Sequence, residues 1–151
     1  MWIPDPIYRQ ILEVMPIPCV DIVVRNPAGE VLLLMRENEP DKGKWWFPGG
    51  RIHYGEKRLD AAHRKLHEEC GIKTVQFKEI GTFDVLLPLP GCRSSHAVTT
   101  VYETNIKTDR AIELDKQSSS CTWHQVSGCI STNTHSLFLE CLRRACHNLP
   151  C

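Results

Sequence analysis

Residues 50–72 read GRIHYGEKRLDAAHRKLHEECGI, and this stretch decides the fold that we predict. Its apolar residues recur at helical spacing, which predicts a helix over residues 57–70. Gly71 follows as a helix stop, because glycine readily adopts the left-handed conformation that ends many helices. The apolar stripe that should face the core of the protein consists of Leu59, Ala62 and Leu66.

The charged residues of this helix predict a binding site for a cation and a diphosphate. Glu68 follows Arg64 by four residues, so the guanidinium can fix the rotamer of the carboxylate. Glu69 comes next, and two adjacent carboxylates near a helix end are costly unless a cation lies between them. Hard oxygen ligands with room for water suit Mg²⁺, with Mn²⁺ as a substitute. The preceding Gly49-Gly50 turn lets the backbone approach closely, so the Gly50 carbonyl is a further candidate ligand.

The spacing of these residues resembles the Nudix box. That pattern is Gly, five residues, Glu, seven residues, Arg-Glu, an aliphatic residue, any residue, Glu-Glu, any residue, Gly and an aliphatic residue. The matching positions are Gly50, Glu56, Arg64, Leu66, Glu68, Glu69, Gly71 and Ile72. The resemblance implies an α+β fold in one domain over residues 1–151, an α/β/α sandwich with a mixed central sheet and the box helix packed on it. It also implies dependence on a divalent cation and hydrolysis of a nucleoside diphosphate linked to another group.

Lys65 is the one departure from the box, since the pattern has a glutamate there. The exchange changes the local charge by two units, and unit charges about 6 Å apart interact by about 3 kcal/mol at an effective dielectric of about 20. That energy is enough to remove a metal site, though not necessarily the site formed by Glu68 and Glu69. Alternatively, Lys65 swings into solvent and pairs with Glu69, one turn on. Either way, the usual multi-metal pyrophosphatase mechanism is in doubt.

The remainder of the chain predicts strands and helices in an order typical of a mixed α+β protein. CVDIVVRNPAGEVLLLMRE at 19–37 predicts two strands around a turn at 26–29. The order of elements is strands, helix, strands, helix, which indicates helices packed on a sheet. The other predicted elements are helices over 5–14 and 134–147 and strands over 74–85, 96–106 and 121–126. Apolar sides are predicted for the first helix at Ile7, Ile11, Leu12 and Val14, and for the last at Leu137, Phe138, Cys141, Leu142 and Ala145.

Composition excludes several partner classes. The chain has 18 basic and 18 acidic residues, so no electrostatic footprint for nucleic acid or an anionic membrane is visible, and a small-molecule ligand is expected. The first 19 residues contain acidic side chains and no uninterrupted apolar run, which predicts a cytoplasmic protein without signal peptide or membrane span. The eight cysteines form no CxxC pair and are expected to be free thiols.

The chain as a whole resembles the GDP-mannose mannosyl hydrolases, the Nudix branch that attacks the anomeric carbon of the sugar instead of a phosphorus. The resemblance runs through VDIVVRNPAGEVLLLMR at 20–36 and LDKQSSSCTWHQVS at 114–127, and it is densest in GKWWFPGGRI at 43–52. It implies a nucleotide sugar as the substrate and a homodimer as the assembly.

The same resemblance implies roles for individual residues. Arg36 would stabilise the departing diphosphate, Arg51 would be a second phosphate contact, and Asp21 would lie near the base or sugar. Glu69 would be the principal Mg²⁺ ligand. The implied site consists of the catalytic residues Arg36, Glu68 and Glu69, the substrate contacts Asp21, Arg36, Arg51, His96 and Gln117, and the metal ligands Gly50, Glu68 and Glu69.

Structural roles compete with these functional ones. Asp21 lies in an otherwise apolar strand, and an inward carboxylate needs a partner. Arg36 ends an apolar strand and would serve equally as a solvated terminus, and a strand histidine such as His96 is more often structural than catalytic. Trp45 and Trp46 either stack on a base or fill the core, and we expect a core position for at least one of them.

Ser118 leaves the mechanism open, because it stands where mannosyl hydrolases have a histidine that acts as general base. A serine hydroxyl does not serve as a base near neutral pH without its own activator. One alternative is a Nudix pyrophosphohydrolase that cleaves a (d)NTP or an ADP-ribose-like substrate at phosphorus, with Glu68 and Glu69 both on Mg²⁺. The other is a weakened nucleotide-binding module, motivated by Lys65 and Ser118 together.

Overall fold

The fold is a mixed sheet with helices on both faces. The computed structural model describes residues 3–39, 42–73, 76–88, 94–107, 118–126 and 136–145. The helices are α1 (Asp5–Val14), α2 (Arg58–Cys70) and α3 (Ser136–Ala145). The strands are β1 (Ile17–Arg25), β2 (Val31–Arg36), β3 (Trp45–Trp46), β4 (Gly49–Arg51), β5 (Lys78–Leu87), β6 (Ser95–Asn105) and β7 (Ser118–His124).

Strand β1 lies at the centre of the sheet. The hydrogen-bonded order is β3-β2-β1-β6-β5, β4 also pairs with β1, and β7 also pairs with β2. Only the β1–β6 pair is parallel among the described strands, with Ile17 opposite Ala97 and Arg25 opposite Asn105. A strand covered on both faces needs a nearly continuous apolar run, and residues 20–24 of β1 are all buried.

Each face of the sheet carries its own apolar core, which is the physical basis of the α/β/α sandwich. On one face α3 packs against the alternate residues of β1 and β2, and its own buried residues are Phe138, Cys141 and Leu142. On the other face α2 packs through Ala61, Ala62, Leu66 and Cys70. The predicted α+β architecture, an α/β/α sandwich around a mixed sheet, is thus confirmed, and so is the predicted apolar side of the last helix.

The turn between β1 and β2 forms as its sequence predicts. Gly29 donates its backbone N–H to the Asn26 carbonyl oxygen at 2.9 Å and adopts a φ of 79°, where a side chain would be strained. The Asn26 side chain exchanges two hydrogen bonds with Glu30, at 2.8 and 2.9 Å. The Asn26 side chain therefore stabilises the turn and sets the register of the first hairpin.

The predicted apolar stripe of α2 is wrong at Leu59, which is 45% exposed. The helix begins one residue later than predicted, at Arg58, and its buried arc is centred on Ala62, Lys65 and Glu69. Leu59 lies at the edge of that arc in the first turn, so it reaches solvent. The spacing of apolar residues predicted the buried side of the helix incorrectly, because two residues near its centre, Lys65 and Glu69, are charged. Gly71, with a φ of 70°, ends the helix as predicted.

The first helix has the predicted bounds, but its predicted apolar side is not buried. No residue of α1 is buried, and Ile7 and Val14 are 51% and 80% exposed. The described residues contain no helix that is long and apolar enough to cross a membrane. Four of the eight cysteines fall within the described ranges, and Cys19, Cys121 and Cys141 among them are free thiols, as predicted.

Replacing Leu66 by alanine tests the packing of α2 on the sheet. Leu66 is completely buried, so Leu66→Ala should lower the free energy of unfolding by about 2–5 kcal/mol, measured by urea denaturation. Leu59→Ala is the matched control on the same helix and should change it by less than about 1 kcal/mol. Equal losses in the two variants would contradict the arrangement of α2 described above.

Candidate active site

A cavity of about 850 Å³ lies where the ends of β1, β2 and β6, the β3–β4 turn and helix α2 meet. Its size is typical of a small-molecule site. Charged side chains of both signs line it, together with aromatic rings that could cover an apolar part of a ligand. The cationic residues are Arg36, Arg51, Arg64 and Lys65, the acidic residues are Asp21, Glu37, Glu39, Glu68 and Glu69, and the aromatic residues include Tyr8, Trp46 and Phe47.

Glu69 joins helix α2 to the glycine turn. Its side chain is buried, and its Oε2 atom accepts a hydrogen bond from the Gly49 backbone N–H at 2.9 Å. A buried carboxylate is stable only when its oxygens are paired, and this hydrogen bond satisfies one of them. The position of the turn and the orientation of Glu69 therefore fix one another.

Lys65 pairs with the other oxygen of Glu69. The Lys65 Nζ atom lies 2.5 Å from Glu69 Oε1 and 3.7 Å from Glu68 Oε2. Lys65 is only 6% exposed, so it does not swing into solvent. The predicted pairing with Glu69 is confirmed, while the predicted exposure of Lys65 is wrong. The reason is that Gly50 leaves room for the lysine stem inside the protein.

Both glycines of the turn are required by close contacts. A Cβ atom at Gly49 would meet the Val20 carbonyl oxygen and lie 2.5 Å from Asp21 Oδ1. At Gly50 the φ angle is 151°, and a Cβ atom would lie 2.9 Å from Lys65 Cε. The group that lies closest to Gly50 is the lysine stem, and the Gly50 carbonyl as a metal ligand stays a prediction.

Arg64 organises the other carboxylates of the box. Its guanidinium contacts both oxygens of Glu56, at 2.7 and 2.9 Å, and Glu68 Oε2 at 3.1 Å. It also donates to the Arg51 carbonyl oxygen at 3.0 Å, which ties α2 to β4. The predicted Arg64–Glu68 contact is confirmed, and the stronger bidentate contact is with Glu56. The hydrogen bonds from Arg64 lower the pKa of Glu56 to about 2.

Asp21 has the partners that a buried carboxylate requires. Trp46 Nε1 donates to its Oδ1 at 3.1 Å, and Thr99 Oγ1 donates to its Oδ2 at 2.6 Å. Burial raises the pKa of Asp21 in spite of these hydrogen bonds. Asp21 lines the cavity and also links β1 with β3 and β6. Trp46 belongs to the core around α3 and Trp45 packs against it, which confirms the expected core position for at least one of them.

Arg36 and Arg51, for which the resemblance implies phosphate contacts, both line the cavity. Arg51 lies beneath the ring of Tyr8 from α1, with its guanidinium carbon 4.5 Å from the ring centre. This cation–π contact holds α1 against the cavity wall. Burial raises the pKa of Tyr8, so the phenol stays neutral beside the arginine at physiological pH.

One predicted substrate contact, His96, is not brought to the cavity, and another lies outside the described residues. His96 pairs with Asp84 at 3.2 Å, while its neighbours Ser95 and Ala97 line the cavity. Successive residues of a strand point to opposite faces, which explains why His96 is turned away. Gln117 lies outside the described residues, and the backbone of Ser118 pairs with Arg36.

The predicted Mg²⁺ ligands Gly50, Glu68 and Glu69 are close together, but their arrangement here does not fit a metal ion. Both carboxylate oxygens of Glu69 already contact N–H donors, and Glu68 lies against Arg64 and Lys65. Within the residues that the structure describes, no cluster of three His, Cys, Asp or Glu side chains could hold a metal ion. Oxygen ligands suit Mg²⁺, yet cations of the chain itself neutralise these oxygens.

Two residues of this site were missed by the sequence analysis. Thr99 lies 78 positions from Asp21, and only the parallel pairing of β1 with β6 brings them together. Tyr8 lies on α1, where the predicted apolar side consists of other residues. Neither residue has a local sequence pattern that points to a ligand. A parallel register would have identified Thr99, but it cannot be read from one sequence.

The Arg64–Glu56 contact should make stability depend on acid pH. Because the pKa of Glu56 is held near 2 in the folded protein, its stabilising contribution is complete above about pH 5 and is lost as pH falls toward 2. The free energy of unfolding should fall as the pH is lowered from about 5 to about 2. In Glu56→Gln this fall should be about 2 kcal/mol smaller than in the natural chain, after allowance for solvent screening. Glu13→Gln, on an exposed part of α1, is the control, and identical pH profiles for both variants would contradict this account.

Comparison with known proteins identifies the family. A family model of the NUDIX domain matches residues 15–135. The low-salt glycan biosynthesis protein Agl8 of Haloferax volcanii is 36% identical over 120 residues, which are 78% of this chain and 76% of that protein. An RNA pyrophosphohydrolase of Bartonella tribocorum is 42% identical over 64 residues, which are 38% of this chain and 37% of that protein.

Solved structures share the fold at lower sequence identity. The MutT protein from Methanosarcina mazei Go1 has a TM-score of 0.75 at 24% identity, with 91% of this chain and 99% of that one covered. The NUDIX domain of Shewanella oneidensis NrtR, crystallised with ADP ribose, has a TM-score of 0.74 at 20% identity, with 98% and 100% covered. The family model, the relative and the fold agree: this chain belongs to the Nudix hydrolase family.

Proposed function

We propose that this Nudix hydrolase acts on a nucleoside diphosphate linked to a sugar, such as GDP-mannose, and releases the nucleoside diphosphate and the free sugar. Water attacks the anomeric carbon and releases one proton to the solvent, the bond between that carbon and the phosphate oxygen breaks, and the diphosphate departs with the electron pair. The cleavage therefore occurs at carbon and leaves the pyrophosphate bond intact.

The observation that carries this proposal is the distribution of charge around the cavity. Arg36 and Arg51 line it, whereas the three carboxylates of the box pair with cations of α2. Cleavage at phosphorus by a carboxylate-held metal requires carboxylates that are available to the metal. Departure of a diphosphate from carbon requires cations beside the leaving group, and guanidinium groups bind phosphate oxygens well. The cavity suits the second reaction better.

Similarity to Agl8 supports a sugar-linked substrate. That relative is named for low-salt glycan biosynthesis, and the two chains align over more than three quarters of their lengths. Glycan assembly uses activated sugars, and nucleoside diphosphate sugars are a common form of them. The Nudix family and the glycan connection of the relative therefore converge on the same substrate class.

In the proposed reaction Arg36 stabilises the charge that develops on the departing diphosphate, and Arg51 holds a second phosphate oxygen. Asp21 accepts hydrogen bonds from the base or the sugar through the oxygen lone pairs that its contacts with Trp46 and Thr99 leave available. Activation by Mg²⁺, with Mn²⁺ as its substitute, stays a prediction of the family resemblance, although the arrangement of Glu68 and Glu69 described above does not fit the ion. The contribution of Gln117 also stays a prediction. A single domain, a homodimer and a cytoplasmic location also stay predictions.

A second candidate is cleavage at phosphorus of a (d)NTP or an ADP-ribose-like substrate. The local similarity to an RNA pyrophosphohydrolase favours it, since its matched segment is 42% identical to this chain. The chain spans little more than a third of that relative's length in the match, at 37%. A third candidate is a nucleotide-binding module with weak turnover, which the pairing of Lys65 with Glu69 favours. The first measurement below separates these three functions.

Hydrolysis in ¹⁸O-labelled water distinguishes the two reactions directly. With Mg²⁺ and a panel of GDP-, ADP- and UDP-sugars, we expect one nucleoside diphosphate without label and one free sugar with ¹⁸O at its anomeric position. Mass spectrometry and ³¹P NMR of the products report the label. Nucleoside monophosphate with ¹⁸O on a phosphate would instead establish the pyrophosphohydrolase, and tight binding without products would establish the binding module.

Removing the guanidinium of Arg36 should slow the chemical step. Arg36→Ala should lower kcat by about 10²–10³-fold, which is typical for loss of one group that stabilises transition-state charge. KM should change much less. Arg9→Ala, on an exposed position of α1, is the matched control and should retain full activity. A rise in KM at constant kcat would mean that Arg36 only binds the substrate, contrary to the role proposed here.

A further inference from the structure

If Glu69 were a metal ligand, it would contact a bound metal ion. Here the ammonium group of Lys65 occupies the place of that ion. Its Nζ atom is 2.5 Å from Glu69 Oε1, and its side chain is 8% exposed, as is that of Glu69. An ammonium group donates up to three hydrogen bonds and carries a full positive charge. At Glu69 it supplies the charge compensation that the carboxylate pair would otherwise take from a divalent cation.

The lysine stem also fills the space beside the turn. A Cβ atom at Gly50 would lie 2.9 Å from Lys65 Cε and 3.4 Å from Nζ, so the side chain runs directly against the glycine backbone. A metal ion that used Gly50 and Glu69 as ligands would have to displace this side chain. Displacing the Lys65 side chain would cost free energy, because its ammonium charge would be separated from the partners with which it now pairs.

The charge balance of α2 agrees with this placement. Glu56, Glu68 and Glu69 face two cations, Arg64 and Lys65, so the five groups together carry one negative charge. A carboxylate at position 65 would leave three negative charges around the same turn. Only the latter arrangement has the excess of negative charge that attracts a divalent cation strongly.

We propose that Lys65 is a tethered cation that replaces the divalent metal at Glu69 and contacts the diphosphate of the substrate. The second half of the proposal rests on the proposed function, which supplies the diphosphate as the ligand. Lys65 lines the cavity together with Arg36 and Arg51, so a diphosphate bound there meets three cationic side chains. Lysine binds phosphate as a point charge, and Glu69 fixes that charge at the cavity wall.

Binding of Mn²⁺ alone tests the first half of the proposal. Electron paramagnetic resonance of free Mn²⁺ should show weak binding to the natural chain and affinity at least about tenfold higher for Lys65→Glu, which restores a carboxylate. Lys78→Glu makes the same charge change at an exposed position of β5 and should leave the affinity unchanged. Binding of Mn²⁺ to the natural chain as tight as to Lys65→Glu would overturn the proposal.

Binding of nucleoside diphosphates without metal tests the second half. Calorimetric titration with GDP, ADP and UDP in EDTA should detect binding of at least one of them to the natural chain, and Lys65→Met should weaken it by at least about tenfold. Lys78→Met should have no effect. Equal binding by the natural chain and Lys65→Met would overturn this half of the proposal.

A double variant guards against a simple folding defect. Lys65→Met leaves Glu69 buried without its cation, so the double variant Lys65→Met/Glu69→Gln removes both charges and should fold while still binding diphosphate weakly in EDTA. Binding of diphosphate by Lys65→Met/Glu69→Gln as tight as by the natural chain would overturn the role of Lys65 as the phosphate contact.

Failure of the proposed function gives a different result. If none of the three nucleotides binds, with or without Mg²⁺, the nucleoside diphosphate ligand is wrong, and the diphosphate half of the present proposal is overturned with it. The Mn²⁺ titration does not involve a nucleotide. It therefore decides independently whether Lys65 has replaced the metal at Glu69.

Discussion

The site depends on the contact between Lys65 and Glu69. These side chains are buried together, and removal of one partner from a buried ion pair typically costs about 3–5 kcal/mol because the other charge is left uncompensated. Glu69 also accepts the Gly49 N–H, so a single carboxylate holds the helix, the turn and the ammonium in fixed positions. The geometry of the cavity wall follows from that one group.

A second carboxylate holds the turn from the other side of the sheet. Asp21 receives hydrogen bonds from Trp46 and Thr99, and its Oδ1 atom borders the space beside Gly49. The turn thus lies between Asp21, which belongs to the face covered by α3, and Glu69, which belongs to α2. Rigid elements on both faces of the sheet therefore position the cavity, which is how a catalytic site keeps its geometry.

Sequence predicted the fold well because its evidence is local. The spacing of Arg64 and Glu68 and the stop at Gly71 depend only on helix geometry, and both are confirmed. The burial of Lys65 was not predicted, because a charged residue counts against an apolar stripe and only the space beside Gly50 permits it. Thr99 was missed because parallel strand pairing joins distant segments. His96 was assigned to the ligand by resemblance, and strand alternation turns it toward Asp84 instead.

The Gly49-Gly50 turn restricts which positions of this site can be substituted during evolution. Position 49 is closed by the Val20 carbonyl oxygen, and position 50 by its backbone conformation as well as by the lysine stem. Exchange of Gly49 would require a strand to move, and exchange of Gly50 would strain the backbone, so position 65 is freer to vary than either glycine. Codons for lysine and glutamate differ by a single nucleotide. A tethered cation and one recruited from solution are therefore one mutational step apart in this scaffold.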